Sequence, residues 1–379
     1  MQTRQLVIVD AGPADLTTLT ALAPDLVLVF ASVAHARDAR FVSSLRAAFP
    51  GATVAGCSTA GEISGHGVTN GETVITAVKF AGTAVREAAT EVADIDDSTD
   101  AGRRLATHLL GEGLRHALVF GPGVQVNGSG LIAGMREVLP AGVTVSGGLA
   151  ADGGRFEETL TFTSAGASPR TAVAVGLYGD RVVLGHGSFH GWVPFGPLRR
   201  VTRAEGNLLH ELDGEPALAV YKKYLGEHAR DLPASGLLFP FEMVGPEGQR
   251  GLIRTILGVD EARGVLTLAG DIGQGGNVRL MHATTDSLVD GAQAAAERAG
   301  AAFPEVSGDR LAVLVSCVGR KLVMGARVDE EVEAVADVFG RGCALTGYYS
   351  NGEISPLFES QDCRLHNQTM TITQLAEVA

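Results

Sequence analysis

Several groups in this sequence have the residue types and spacing to do chemistry. One is Val315-Ser316-Cys317-Val318-Gly319-Arg320, where an apolar strand pattern ends in a thiol, a glycine and an arginine. An arginine at a strand exit can clamp a carboxylate through paired N–H bonds, or pair with Glu353 and fix the loop. Both readings place Arg320 near Glu353. A second group is repeated. Gly56-Cys57-Ser58-Thr59-Ala60-Gly61-Glu62-Ile63-Ser64 aligns with Gly347-Tyr348-Tyr349-Ser350-Asn351-Gly352-Glu353-Ile354-Ser355. The shared G-x-x-[ST]-x-G-E-I-S is either a tight strand-exit turn or a pocket rim where Glu62 or Glu353 faces a ligand. His186 and His190 lie four apart. On a strand they would share a face, where they could ligate haem iron or a metal, or sit as satisfied imidazoles. Trp192, the only tryptophan, precedes Pro194-Phe195-Gly196-Pro197 and reads as a packing plug between two halves or a pocket wall. Cys57 and Cys317 are either nucleophiles or inert buried thiols.

The surrounding composition narrows these options. The chain has 379 residues, 45% hydrophobic and 19% charged, which suits about two packed domains. The 30 basic and 43 acidic residues give a net charge of −13. No basic patch stands out, so nucleic acid is not an expected partner. The apolar runs Leu26–Ala34 and Leu311–Gly319 are too short to span a bilayer, and the first residues are too short a stretch for a signal peptide. No membrane role and a cytoplasmic location are therefore expected. Cys57, Cys317, Cys343 and Cys363 form no Cys-x-x-Cys pair, so no zinc or redox motif is expected. Asn127-Gly128-Ser129-Gly130 with Gly134 only approximates a dinucleotide fingerprint, and no acid follows the next strand.

Three stretches share one order of elements: Val27–Phe30, Asp38–Phe49 and Thr53–Gly56; Ala117–Phe120, Ser129–Leu139 and Val143–Gly147; Val313–Ser316, Asp329–Phe339 and Cys343–Gly347. Each reads as strand, amphipathic helix, strand and glycine turn, with Gly56, Gly147 and Gly347 at equivalent places. Val328, Val332, Val335 and Phe339 show the helical spacing best. Alternating strands follow each unit, at Thr73–Phe80, Thr171–Tyr178 and Gln368–Thr373. The expected fold is α/β: mixed sheets built from repeated strand–helix–strand units followed by antiparallel strands, in two halves. Asp213-Gly214-Glu215-Pro216, a helix entry, places the boundary near 205–215.

The sequence resembles the FIST family, sensory domains of bacterial signal transduction also found with F-box regions in eukaryotes. The residues that carry this are Gly347-Tyr348-Tyr349-Ser350-Asn351-Gly352-Glu353-Ile354-Ser355-Pro356 and Ser316–Arg320. Further matches are Gly191-Trp192-Val193-Pro194, Leu212–Ala217 with Tyr221 and Tyr224-Leu225-Gly226, and Gly147-Gly148-Leu149-Ala150. The resemblance implies an N-terminal FIST domain at 23–205, a C-terminal one at 206–358, and a terminal strand at 359–379 completing the second. It implies an intracellular sensor of an amino acid or similar metabolite. With no kinase, methyl-accepting or cyclase segment in these residues, it should act through a separate partner such as a histidine kinase of a two-component system. A haem-binding nitric oxide sensor using His186 and His190, and a cysteine enzyme using Cys57 or Cys317 with Arg320 and Glu353, are the alternatives. Val318 stands where family members often carry a polar residue. The ligand pocket is expected where Cys317, Gly319 and Arg320 leave one strand and Tyr348, Ser350, Asn351 and Glu353 leave the next, with Trp192 and Glu62 nearby.

Overall fold

The computed structural model describes residues 1–10, 15–245, 250–301, 303–357 and 362–378. The opening of the expected 359–379 segment, and Ala379, lie outside the described residues. Each of the three repeated units supplies a parallel strand pair: Leu26–Ala31 with Thr53–Ser58, Leu114–Gly121 with Thr144–Leu149, and Arg310–Cys317 with Cys343–Ser350. A helix connects each pair, at Ala39–Ala48, Gly128–Val138 and Asp329–Phe339. An antiparallel strand lies on the outer side of each first strand: Thr73–Lys79, Thr171–Tyr178 and Met370–Glu377.

Leu26–Ala31 reads as a continuous apolar run because both its faces are buried. Leu26, Leu28 and Phe30 join Leu118, Phe120, Leu311, Val313, Val315 and Tyr348 in one core shared by three six-stranded sheets. Val27, Val29 and Ala31 face the other way, onto Phe41 and Leu45 of the first helix. The second and third units repeat this alternation, with Val119 against Leu131 and Leu314 against Val332.

The units are interlocked by exchanged strands. After Thr53–Ser58 the chain crosses to the third sheet, where Ile63 sits opposite Gly347. After Thr144–Leu149 it crosses to the first, with Phe162 opposite Gly56. After Cys343–Ser350 it crosses to the second, with Ile354 opposite Gly147. The three glycines are thus equivalent, but they stand inside strands and not at turns. A Cβ at Gly56, Gly147 or Gly347 would lie 1.9, 2.0 or 1.9 Å from the carbonyl oxygen of Val29, Val119 or Leu314 on the parallel neighbour. Glycine is needed there for close backbone approach.

Among the described residues of 193–282, nine strands form a further antiparallel sheet inserted between the edge strand Val182–Phe189 and the helix Thr285–Gly300 of the third unit. Leu218, Tyr221 and Leu225 of the helix Ala217–Leu225 seal it against Val201, Leu209 and Leu266. The turn between Arg199–Glu205 and Leu208–Leu212 is a hairpin of this sheet, and it contains the expected boundary at 205/206. Met370–Glu377, in the terminal segment, lies between Val182–Phe189 and Arg310–Cys317 in the third sheet.

Candidate functional site

Parallel register brings Cys317 and Ser350 side by side at the carboxyl ends of their strands. The two exit loops meet there. One turns directly into the helix Val318–Met324, carrying Gly319 and Arg320; the other carries Asn351 and Glu353. Glu353 is fully buried. Ser350 Oγ donates to its Oε1 at 2.8 Å, and the backbone N–H and hydroxyl of Thr369 donate to Oε2 at 3.1 and 2.8 Å. Burial pushes its carboxyl up to about 7, against the opposing pull of those hydrogen bonds. Glu62 is held in the same way: Thr59 Oγ donates to it from three residues upstream, and the Glu72 N–H donates at 3.2 Å. Burial raises its pKa too. The hydroxyl and carboxylate of G-x-x-[ST]-x-G-E therefore bond to each other in both copies.

Arg320 does not pair with Glu353. It is fully buried and takes Glu331, with Nε and Nη2 at 3.1 and 2.8 Å from Oε2. Its Nη1 and Nη2 also donate to the carbonyls of His190 and Leu288, at 2.6 and 2.8 Å. Glu331 Oε1 accepts from Ser316 at 2.9 Å and from the Tyr349 hydroxyl. The helix that begins immediately after Cys317 turns the guanidinium toward the facing helix and not along the strand axis.

Other expected site residues separate into distinct places. Tyr348 stacks on Phe30 in the central core, with ring centroids 4.8 Å apart. Gly319 makes room for Gln368, whose Nε2 would lie 2.3 Å from a Cβ there. Trp192 is buried, and its Nε1 donates to the Gln368 carbonyl at 3.1 Å. It packs with Ile253 and Met281 of the inserted sheet and Leu288 and Met370 of the third unit. His186 hydrogen-bonds Thr144 at 3.2 Å through Nε2, and its Nδ1 lies 3.4 Å from Thr373. Burial pulls its pKa down to about 4. His190 Nδ1 instead accepts the Trp192 N–H at 2.9 Å. Cys57 and Cys317 are buried, and desolvation raises the pKa of both thiols.

The FIST N domain model matches residues 25–215, and the FIST C domain model matches residues 217–356. The chain belongs to the FIST family. FIST domains are sensory. A stretch of 88 residues is 32% identical to an uncharacterized protein of Methanocaldococcus jannaschii, covering 23% of this chain and 17% of that relative. Among solved structures, a cyanuric acid hydrolase from A. caulinodans aligns over 100% of this chain and 99% of its own, at 9% identity and a TM-score of 0.37. That likeness carries no inference about chemistry.

Reasoning from sequence missed several buried polar groups of this FIST chain. Glu331 was legible: at three residues from Val328 and one before Val332 it falls on the apolar stripe of its helix. Asn367 and Gln368 carry no local signal, because the turn from Cys363–His366 in the second sheet to Met370–Glu377 in the third is what brings them to the strand ends. The amide oxygens of Asn351, Asn367 and Gln368 are buried without a donor among the described residues. Asn351 follows Ser350 and Gln368 precedes Thr369, the two residues that hold Glu353, and Asn367 is one residue further back. Asn351 Nδ2 donates to the Gly123 carbonyl at 3.3 Å, and Gln368 Nε2 to the Leu237 carbonyl at 2.9 Å, which leaves both oxygens open to a donor. Such oxygens are suited to accept hydrogen bonds from a cationic or amino group. Among the described residues no group of three or more His, Cys, Asp or Glu side chains is arranged to hold a metal ion, and no helix is long and apolar enough to cross a membrane.

Proposed function

We propose that this chain is a non-catalytic sensor of a small amino-bearing metabolite, such as an amino acid, recognised where the third unit's strand ends meet the 367–369 turn. It signals through a separate partner such as a histidine kinase. The observation that carries the reading is the set of three donor-free amide oxygens beside Glu353. A buried acceptor without a donor costs about 1–3 kcal/mol, so a ligand ammonium satisfying them has a favourable place to bind. Glu353, with its carboxyl at about 7, supplies negative charge to that place as it ionises. Two facts weigh against catalysis and haem. The buried thiols of Cys57 and Cys317 are held away from the thiolate form. His186 and His190 are engaged with different partners.

Calorimetric titration with the twenty proteinogenic amino acids tests this. At least one should bind, and Asn351→Ala and Gln368→Ala should each weaken it tenfold or more while the protein stays folded. No binding by any amino acid, or equal binding by both variants, would refute the reading.

A further inference from the structure

A cavity lies away from the strand ends, between the inserted sheet and the second unit. It is a cavity of about 540 Å³ whose walls include Ser129, Ile132 and Arg136 of the helix Gly128–Val138, Met243 and Arg254 of the insert, and Arg364 of the crossing hairpin. Arg254 is its unusual member. The side chain is 4% exposed, yet it has no carboxylate partner among the described residues. Its Nε donates to the Asp271 carbonyl at 2.9 Å, and its Nη1 to the carbonyls of Ile253 and Leu365 at 3.1 and 3.3 Å. Nη2 donates to nothing among the described residues. A buried guanidinium held only by neutral carbonyls keeps its full charge in a place of low dielectric, and burial lowers its pKa to about 10.

The other charges around the cavity do not cancel it. Arg136 and Arg364 both pair with Asp362, and the Asp271 carboxylate accepts from Asn127 Nδ2 at 3.3 Å. Among the described residues three guanidinium groups stand against two carboxylates, which leaves one positive charge in excess. The Ser129 hydroxyl makes no hydrogen bond to a described residue. It stands beside Arg254: a Cβ at Gly270 would lie 3.1 Å from the Arg254 Cζ and 3.3 Å from the Ser129 Oγ. Ile132, Leu252 and Leu365 give the remaining wall an apolar character.

We infer that this cavity binds a small organic carboxylate, its charged head on Arg254 Nη2 and Ser129 Oγ and its apolar body against Ile132, Leu252 and Leu365. Arginine suits this role because its planar fork can hold backbone carbonyls on one edge and still offer N–H donors on the other. The site joins the insert to the second unit, so its ligand would brace two parts of the fold that are far apart in sequence. It is independent of the amino-group site proposed above: a carboxylate without an amine should occupy this cavity alone.

Calorimetry with hexanoate, hexylamine and inorganic phosphate on the full chain tests the inference. Hexanoate should bind at a ratio of one, hexylamine should not, and phosphate should bind at least tenfold more weakly because it leaves the apolar wall unfilled. Arg254→Gln should weaken hexanoate at least tenfold. Ala133→Trp, at an exposed position on the cavity wall, should do the same by filling the space while all three arginines remain. If Arg254→Gln fails to fold, the Ala133→Trp result decides. Absence of hexanoate binding, undiminished binding to Ala133→Trp, or phosphate binding as tightly as hexanoate would overturn the inference. Amino-acid binding should survive Ala133→Trp, so failure of either site is separable from failure of the other.

Discussion

Replacing Arg320 by methionine separates a bracing role from a ligand-contacting one. The change keeps much of the apolar stem but removes the two N–H bonds to Glu331 and those to the His190 and Leu288 carbonyls. Glu331 would keep Ser316 and Tyr349 on Oε1, but Oε2 would be left buried without its cation. Breaking a buried ion pair on one side costs about 3–5 kcal/mol. Unfolding entropy of about 2.1 cal/mol/K per residue sums to about 0.8 kcal/mol/K over this chain, so Tm should fall by about 4–6 °C. Glu331→Gln should lower stability in the same direction. The double variant should be less destabilised than the sum of the two singles, by about 0.5–3 kcal/mol, because the second change removes a partner already lost. Chemical denaturation and thermal melts of all four proteins supply the cycle. Additive losses, or an Arg320→Met protein within about 1 kcal/mol of wild type, would show that the pair does not brace the third unit. A loss of ligand affinity without loss of stability would return Arg320 to the binding site.

Alanine at Gly56, Gly147 or Gly347 should destabilise the protein by at least about 1–3 kcal/mol each, measured by urea denaturation, since each Cβ would press on a backbone carbonyl that cannot move aside. The depressed pKa of His186 gives stability that is complete above its ordinary 6.5 and is lost as pH falls toward about 4. At 1.36 kcal/mol per pH unit this is about 3 kcal/mol, and the wild-type advantage over His186→Gln in thermal melts should shrink across that window. Glu353 has the opposite sign: its raised pKa gives stability that is complete below 4.5 and is lost as pH rises through about 7, so Glu353→Gln should flatten that part of the stability profile. Under native conditions a thiol reagent should modify the partly exposed Cys343 first, while the buried Cys57, Cys317 and Cys363 react only on unfolding, as mass spectrometry of quenched samples would show.

The sequence by itself determined the local pieces. Apolar runs and helical stripes fix where strands and helices form, because side-chain periodicity follows from the backbone geometry of each element. The helix Asp329–Phe339 was bounded correctly from Val328, Val332, Val335 and Phe339, and the equivalence of Gly56, Gly147 and Gly347 followed from their positions after matching units. The glycine–hydroxyl–glutamate motif is visible in the sequence as a pair, but the bond between the hydroxyl and the carboxylate of each copy belongs to neither reading of it. Only the tertiary structure decided which strand each unit lends to its neighbour. A three-residue strand such as Glu62–Ser64 has many possible edges of similar energy, and the choice is made by packing across 284 residues of chain, as with Ile63 opposite Gly347. The same holds for charge. Arg320 had Glu353 and Glu331 within reach of its helix and loop, and the direction in which the helix Val318–Met324 leaves its strand selected Glu331. Arg254 gave no sign in the sequence of lacking a carboxylate partner. That property exists only because a hairpin from the third unit brings the Leu365 carbonyl against the inserted sheet.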